Sequence, residues 1–179
     1  MDRKTFLEQT LEECKRRLVR TVQDLTAAEL AWRPHPEANC IGFLLWHVAR
    51  VEDRWLHRYA QDCPEVWSRD SWAPRCNLPA EVTGVGYTAE QLANFAVPPL
   101  AMLQEYFDAV RQDTLTYLHG LDDSGLDVHP RRIAFPEVSD RPLPDDFTIL
   151  RMFRQLIGEE NQHLGQMAYV RGLQRGLNK

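Results

Sequence analysis

Apolar residues recur at spacings of three and four along four stretches of the chain, a pattern typical of helices that bury one face. The stretches cover residues 5–25, about 41–60, about 100–118 and about 147–175. In the first, the inward positions are Phe6, Leu7, Leu11, Cys14, Leu18, Val22 and Leu25. No stretch has the pattern of a credible strand. The sequence therefore predicts an all-α protein whose four long helices pack as a four-helix bundle.

Short polar residues mark where these helices begin. The ranges Thr26–Glu29 and Thr88–Gln91 have the spacing of capping boxes, in which the first and fourth residues cap each other's backbone. Asn39 is expected to cap the second long helix, and Asp145 or Asp146 the fourth. A glycine follows the third and the fourth helix, as expected where a helix ends.

Two connections between the long helices are themselves long. Residues 61–87 contain three prolines together with Trp67 and Trp72, and residues 121–146 are rich in aspartate and proline. Helix–helix connections usually have 2–8 residues. The first connection is therefore interpreted as a crossover or a functional lid.

Composition and charge narrow the class of protein. The chain has 179 residues, 44% of them apolar, with 21 basic against 26 acidic side chains and a net charge of −5. This is the size and composition of one globular domain, without the basic surplus of a nucleic-acid binder. The sequence has no apolar run long enough for a transmembrane helix, and its polar start differs from a signal peptide. We expect a single domain covering residues 1–179, located in the cytoplasm, with no nucleic-acid or membrane partner.

The four cysteines do not form a metal or redox motif. They stand at positions 14, 40, 63 and 76, and none belongs to a Cys-x-x-Cys pair. We expect reduced thiols that pack as small apolar side chains, with Cys63 and Cys76 as the one pair that shares an irregular stretch.

Polar residues on the buried face of the fourth helix need an explanation. His163 lies inside the apolar stripe, Glu159 stands one turn before it, and Glu160 falls near the centre of the stripe. A buried carboxylate requires a partner. A divalent ion is one such partner, because residues four apart stack on one face and His47 leans inward on the second helix. The alternative is a structural histidine hydrogen-bonded to a core carboxylate.

Other polar residues on the second helix carry less weight. Arg54 and Arg58 lie near the edge occupied by His47 and either meet an anionic substrate or form an ordinary surface pair. His57 points away from the apolar stripe and is expected at the surface. Trp46, on the side opposite the stripe, either packs under the loop around Trp32 or marks a subunit interface.

Two motifs resemble a known family. They are the run from Leu25 to Pro34 followed by Ile41-Gly-Phe-Leu-Leu-Trp-His47-Val-Ala-Arg-Val-Glu-Asp53, and the C-terminal Glu159-Glu-Asn-Gln-His163-Leu-Gly-Gln-Met-Ala-Tyr169-Val-Arg-Gly172. Both are similar to the DinB-like (DinB/YfiT-type) metalloproteins. The resemblance implies a four-helix bundle with up-down-down-up connectivity, a long crossover between helices two and three, and a homodimer.

The resemblance also implies a metal site. The family holds a divalent ion with one histidine of the second helix and a pair four residues apart on the fourth, often His-x-x-x-His. Here Glu159 replaces the first histidine of that pair, so His47, Glu159 and His163 resemble the His, Glu, His set of the related mycothiol-dependent maleylpyruvate isomerases. Glu160 competes with Glu159 for this role, but the register of the family favours Glu159. Glu52 matches a common acidic position and either orients a ligand or forms a salt bridge.

The resemblance and the ligand set together lead to functional expectations. Two imidazoles suit zinc or nickel better than calcium. The first expectation is a transferase that acts with a low-molecular-weight thiol of the bacillithiol or mycothiol type on an electrophilic small molecule. Its reacting group would be a thiol or water activated on the metal rather than an assigned side chain. A metal-dependent hydrolase and a non-catalytic, stress-associated metal-binding protein are the alternatives. We also expect residues 61–87 to form a partly ordered flap near the metal end of the bundle.

Overall fold

The computed structural model describes residues 1–132, 143–144 and 146–176. Within these ranges the fold is entirely helical and contains no strand, which confirms the predicted class. The eight α-helices are α1 Arg3–Val22, α2 Ala27–Ala31, α3 Ile41–Asp53, α4 Val66–Arg69, α5 Trp72–Cys76, α6 Ala89–Ala93, α7 Leu100–Gly120 and α8 Ile149–Arg175. No helix of the described ranges is long and apolar enough to cross a bilayer.

Side-chain caps explain why several helices begin where they do. Thr26 and Glu29 cap each other at the start of α2, and Thr88 and Gln91 do the same at α6, so both predicted capping boxes are confirmed. α1 begins after Asp2, whose carboxylate accepts a hydrogen bond from the backbone of its first turn. These contacts satisfy backbone N–H groups that have no partner inside the helix.

Two predicted caps are wrong. α3 is capped by Cys40, whose Sγ accepts a hydrogen bond from the Phe43 N–H at 3.4 Å, and not by Asn39. α8 is capped by Thr148 rather than by Asp146, which instead pairs with the Arg151 side chain. Asp145 lies outside the described residues. In both helices the true cap is one or two residues further along, next to the first buried position of the helix.

The four long helices form the core. α1 packs against α8 and α7, and α3 packs against α7 and α8. Buried apolar side chains fill the space between them, among them Leu11, Leu44, Phe107 and Phe153. The up-down-down-up connectivity is taken up below as a proposal.

α3 is buried on every side because residues 61–97 cover its outer face. Trp46 is fully buried, and its ring contacts Trp67, Tyr87 and Phe95 with centroid separations of 5.0–6.3 Å. The expectation that Trp46 marks a subunit interface is therefore wrong. The rings that contact it belong to Phe43 of the same helix and to residues 67–95, not to the loop around Trp32. The apolar stripe of a single helix does not reveal that another part of the same chain covers the side opposite that stripe.

α3 continues as a π-helix over Arg54–Gln61, where the predicted helix was regular up to Ala60. His57 lies in this segment and is only 2% exposed, so the prediction of a surface histidine is wrong. Its Nδ1 lies 2.8 Å from Asp53 Oδ1 and its Nε2 3.0 Å from Asp113 Oδ2. Burial alone would lower the pKa of His57, but the two carboxylates outweigh it and raise that pKa above its usual value.

Residues 61–87 pack on the long helices. Trp67 and Trp72 are buried against the ring of Tyr106, and Trp67 also contacts Trp46. The part of this segment that lies beside His47 is its end, residues 83–87. All four cysteines are free, as expected, and Cys63 and Cys76 do not form a disulfide.

Candidate metal centre

The fold brings three metal-ligating side chains together between α3 and α8. Donor atoms of His47, Glu159 and His163 all lie within 4.8 Å of one another. Glu159 and His163 are one turn apart on α8, with 3.4 Å between Glu159 Oε2 and His163 Nε2. The His47 and His163 rings meet edge to face at a centroid distance of 5.0 Å. Among the described residues this is the one group of at least three such side chains with that geometry.

Each histidine is held by its other ring nitrogen. His47 Nδ1 donates to the Thr83 carbonyl at 2.6 Å, and His163 Nδ1 lies 3.0 Å from the Gln166 side-chain oxygen. A carbonyl oxygen can only accept, so the proton of the neutral ring sits on Nδ1 and Nε2 keeps its lone pair. The Nε2 lone pair of His47 is then available to an ion, which is how metal-binding histidines are usually oriented. His163 Nε2 lies 3.4 Å from Glu159 Oε2, so an ion bound there would take the place of a proton shared by these two side chains.

The electrostatics of the triad also fit a cation. The hydrogen bond with His163 lowers the pKa of Glu159, so its carboxylate is anionic at neutral pH. Burial lowers the pKa of His47, which favours the neutral, ligating form of the ring. Burial opposes protonation of His163 too, but the hydrogen bonds with Glu159 and Gln166 raise its pKa. Once His163 gives up its proton, two neutral nitrogens and one anionic oxygen remain, and this set suits a divalent ion.

A cavity of about 770 Å³ opens onto the triad. Most of its described walls are aromatic or aliphatic, and they include Phe43, Val51, Trp55, Tyr59, Leu92 and Phe147. Arg54 lies in the wall, whereas Arg58 lies outside the described lining. Clefts of this size and composition bind small molecules.

Glu52 and Glu160 lie together, away from the two histidines. Both pair with Arg111, which reaches between them from α7 and is 1% exposed. Arg111 binds both oxygens of Glu52 at 2.9 Å, contacts Glu160 Oε1 and donates to the Leu11 carbonyl at 2.6 Å. The structure therefore places Glu159, rather than Glu160, with His47 and His163. The partner that the buried Glu160 required is an arginine.

Two groups that shape this region were missed in the sequence. Arg111 continues the row of residues four apart that includes Leu103 and Phe107, and this position on the apolar face was the available signal. The Thr83 carbonyl carried no signal, because a backbone acceptor in an irregular segment looks the same in every sequence.

Comparisons with known proteins place this geometry in context. Residues 10–167 match the sequence profile of the DinB superfamily. A solved structure, that of a conserved protein from Enterococcus faecalis, is 23% identical, with a TM-score of 0.79 and 97% of each chain covered. At that identity the similarity shows the fold alone. No curated protein matches the chain.

Proposed function

Because the chain belongs to the DinB superfamily, we propose that it is a divalent-metal-dependent enzyme that transfers a low-molecular-weight thiol to an electrophilic small molecule. His47, Glu159 and His163 would hold the ion, with zinc or nickel the best match to two imidazoles and a carboxylate. The thiol would be of the bacillithiol or mycothiol type. This proposal includes a location in the cytoplasm and no nucleic-acid partner.

The observation that carries the proposal is a group of three donors, with both imidazoles tethered by Nδ1, that faces a cavity. A structural zinc site is closed by four protein ligands, whereas three leave a position for an exogenous ligand. A bound divalent ion lowers the pKa of a thiol that reaches it, which makes the nucleophilic thiolate available at neutral pH.

The chain's own residues would bind and orient the reactants. The aromatic walls formed by Phe43, Trp55 and Phe147 would hold an apolar electrophile and exclude water. Arg54 lies in the same wall, and because its Nε and Nη2 already donate to Glu65 and to the Glu81 carbonyl, it would bind a carboxylate of the thiol through Nη1. Glu159 is kept in place by Gln155, whose side-chain amide donates to its second oxygen at 3.3 Å.

We also propose that the long helices form an up-down-down-up bundle. Between α3 and α7 the residue numbers at the contacts increase in the same direction, with Arg50 near Tyr106 and His57 near Asp113, which supports parallel helices. Contacts along α1 and α7 run in opposite senses, with Lys4 near residue 121 and Lys15 near Asp108. Between α1 and α8 the residue numbers at the contacts increase in the same direction, as in Arg17–Asn161 and Thr21–Arg171, which supports parallel helices. Between α3 and α8 they change in opposite directions, as in His47–His163 and Trp55–Phe147, which supports antiparallel helices.

The proposal of a homodimer has a separate basis. Trp46 no longer supports it, because that ring is buried within one chain. The dimer is supported instead by Tyr169 and Leu173 on α8, which lie one turn apart and are 69% and 50% exposed. Apolar side chains exposed on one helix face are typical of a surface that meets a second copy.

Metal loading of wild type and variants tests the ligand set. Elemental analysis and chelator competition should give one tightly bound ion per chain, weakened more than about 100-fold by Glu159→Gln and by His163→Ala, because a direct ligand outweighs an outer partner. Gln162→Ala, an exposed neighbour on α8, is the matched control and should bind like wild type. If Glu159→Gln binds as tightly as wild type, the assignment of that ligand is wrong.

Activity of the loaded protein tests the reaction. We expect metal-dependent conjugation of monochlorobimane with a bacterial thiol. Hydrolysis of an ester or amide panel without thiol transfer would favour the hydrolase, in which the ion activates water. Stoichiometric metal without either activity would favour a non-catalytic metal-binding protein.

A further inference from the structure

Side chains on one face of α3 and of the π-helix that continues it donate hydrogen bonds to three consecutive backbone carbonyls. His47 Nδ1 donates to Thr83 O at 2.6 Å, and Arg50 Nε donates to Val82 O at 3.1 Å. Arg54 Nη2 donates to Glu81 O at 2.9 Å. We call residues Glu81–Gly84 the strap.

We call these three hydrogen bonds the ladder, and the sequence spacing of their donors explains why it is regular. Residues 47, 50 and 54 are separated by three and four positions, so they lie on one face of a helix. Their axial separations of about 4.5 and 6 Å follow from a rise of 1.5 Å per residue. The strap runs antiparallel to the helix, with residue 83 beside His47 and residue 81 beside Arg54. Successive side chains on the helix face therefore reach successive carbonyls of the strap.

The two guanidinium groups of the ladder are themselves fixed. Glu65 accepts hydrogen bonds from Arg50 Nη2 at 2.7 Å and from Arg54 Nε at 3.1 Å. Asp53 accepts one from Arg50 Nη1 at 3.3 Å and also caps the first turn of α4 through the Val66 and Trp67 N–H groups. Charge-assisted bonds of this kind hold planar guanidinium groups in one orientation. Glu65 and both arginines are at least 90% buried.

Gly84 brings the end of the strap onto the aromatic rings of α3. Its φ is +85°, and a Cβ there would lie 2.8 Å from the Phe43 ring and 2.9 Å from the Trp46 ring. Gly86 has a similar φ of +69°, but a Cβ there would meet nothing within 4 Å. The two glycines therefore carry the same backbone strain when substituted and differ in contact with the rings.

We propose that Arg50 and Arg54 are positioning residues for His47: they fix the strap so that the Thr83 carbonyl holds the His47 proton on Nδ1 and directs Nε2 toward Glu159 and His163. The proposal rests on the proposed metal site for its consequence, because a misdirected Nε2 lowers affinity for the ion. Outer partners of metal-bound histidines typically contribute 10- to 100-fold to affinity.

The first experiment measures the His47 tautomer in the metal-free protein. Nitrogen-15 correlation spectra at about pH 8.5, well above the usual imidazole pKa of about 6.5, should show the His47 proton on Nδ1. Gly84→Ala should shift this ring toward the Nε2–H form, whereas Gly86→Ala should leave it unchanged. His163, held by Gln166, is an internal control and should not respond in either variant. A wild-type His47 with its proton on Nε2 would overturn the proposal without any variant.

The second experiment measures Zn²⁺ affinity by competition with a chromophoric chelator. We expect Gly84→Ala to weaken binding 10- to 100-fold and Gly86→Ala to change it less than about threefold. Arg54→Lys keeps a positive charge for Glu65 but cannot reach both Glu65 and the strap. It should therefore keep the circular dichroism spectrum of wild type while weakening Zn²⁺ binding about 10-fold.

The outcomes separate this proposal from the proposed function. If Gly84→Ala and Arg54→Lys both bind Zn²⁺ like wild type with an unchanged His47 tautomer, the positioning role is wrong while the metal site stands. If wild type binds no metal, the proposed function fails, and the tautomer of the metal-free protein still decides whether the ladder positions His47.

Discussion

Glu52 and Glu160 share one buried arginine, and replacing each with glutamine should have very different effects on stability. Arg111 makes two bonds of 2.9 Å to Glu52. It touches Glu160 through one oxygen, Oε1, and no donor group contacts the other oxygen, Oε2. Burial raises the pKa of Glu160 well above its usual value, while Arg111 outweighs burial and lowers the pKa of Glu52. We therefore expect Arg111 with Glu52 to be the charged pair at neutral pH, with the proton of the two carboxyl groups on Glu160.

The magnitudes follow from this assignment. Glu52→Gln leaves a buried guanidinium without its anionic partner, which costs about 3–5 kcal/mol. For a chain of this length that lowers Tm by roughly 6–20 °C, at about 2–4 °C per kcal/mol. Glu160→Gln replaces a neutral acid with a neutral amide that still presents an oxygen to Arg111. Its cost should stay below about 1 kcal/mol.

Thermal unfolding followed by circular dichroism in the presence of a chelator measures both variants free of metal-linked stabilisation. The pH adds a second criterion. The folded state of wild type keeps a proton on Glu160 that the unfolded state releases above about pH 4.5. The wild type therefore loses stability from this group as pH rises, and Glu160→Gln does not. The stability of Glu160→Gln relative to wild type should thus increase between pH 5 and pH 8. Equal losses in the two variants at neutral pH, or a larger loss in Glu160→Gln, would refute the charge assignment.

Three further predictions concern other parts of the chain. Asp53 outweighs burial and raises the pKa of His57 above 6.5, so the ion pairs of His57 stabilise the fold below about pH 6.5, and this stabilisation is lost as pH rises through the folded pKa. In urea unfolding, His57→Gln should be least stable relative to wild type at pH 6, and a constant difference up to pH 9 would contradict this. Thr148→Ala removes the N-cap of α8 and should lower the free energy of unfolding by about 1 kcal/mol, seen as a lower Tm. An unchanged Tm would show that packing alone, without this cap, fixes where α8 begins. Sedimentation at micromolar concentration should give a dimer, and a species of 20.8 kDa at high concentration would exclude it.

The sequence predicted what depends on local pattern. Apolar periodicity located the four long helices, and the spacing of four between Glu159 and His163 placed two donors on one face. Capping was predicted well where the motif involved two residues, as at Thr26 and Glu29, and poorly where one side chain had to be chosen among neighbours, as at Asn39.

What the sequence did not reveal depends on partners from distant elements. His57 was expected at the surface because it points away from the apolar stripe of its own helix, yet it is buried and pairs with Asp113 of α7. The buried Glu160 was correctly recognised as needing a partner, but its partner is Arg111, 49 positions away in the chain. A charged residue on an apolar face indicates a buried ion pair or a metal equally well, and only the fold distinguishes them.

The three donors of the candidate centre enter the chain at very different times during synthesis. Glu159 follows His47 by 112 positions. At a translation rate of about 5–20 residues per second, that separation is roughly 6–20 s. During this interval the nascent chain carries only one of the three donors of the candidate centre, so that centre cannot yet hold an ion. Metal selection would therefore fall to the folded protein, whose cavity and tethered rings set the geometry that an incoming ion must satisfy.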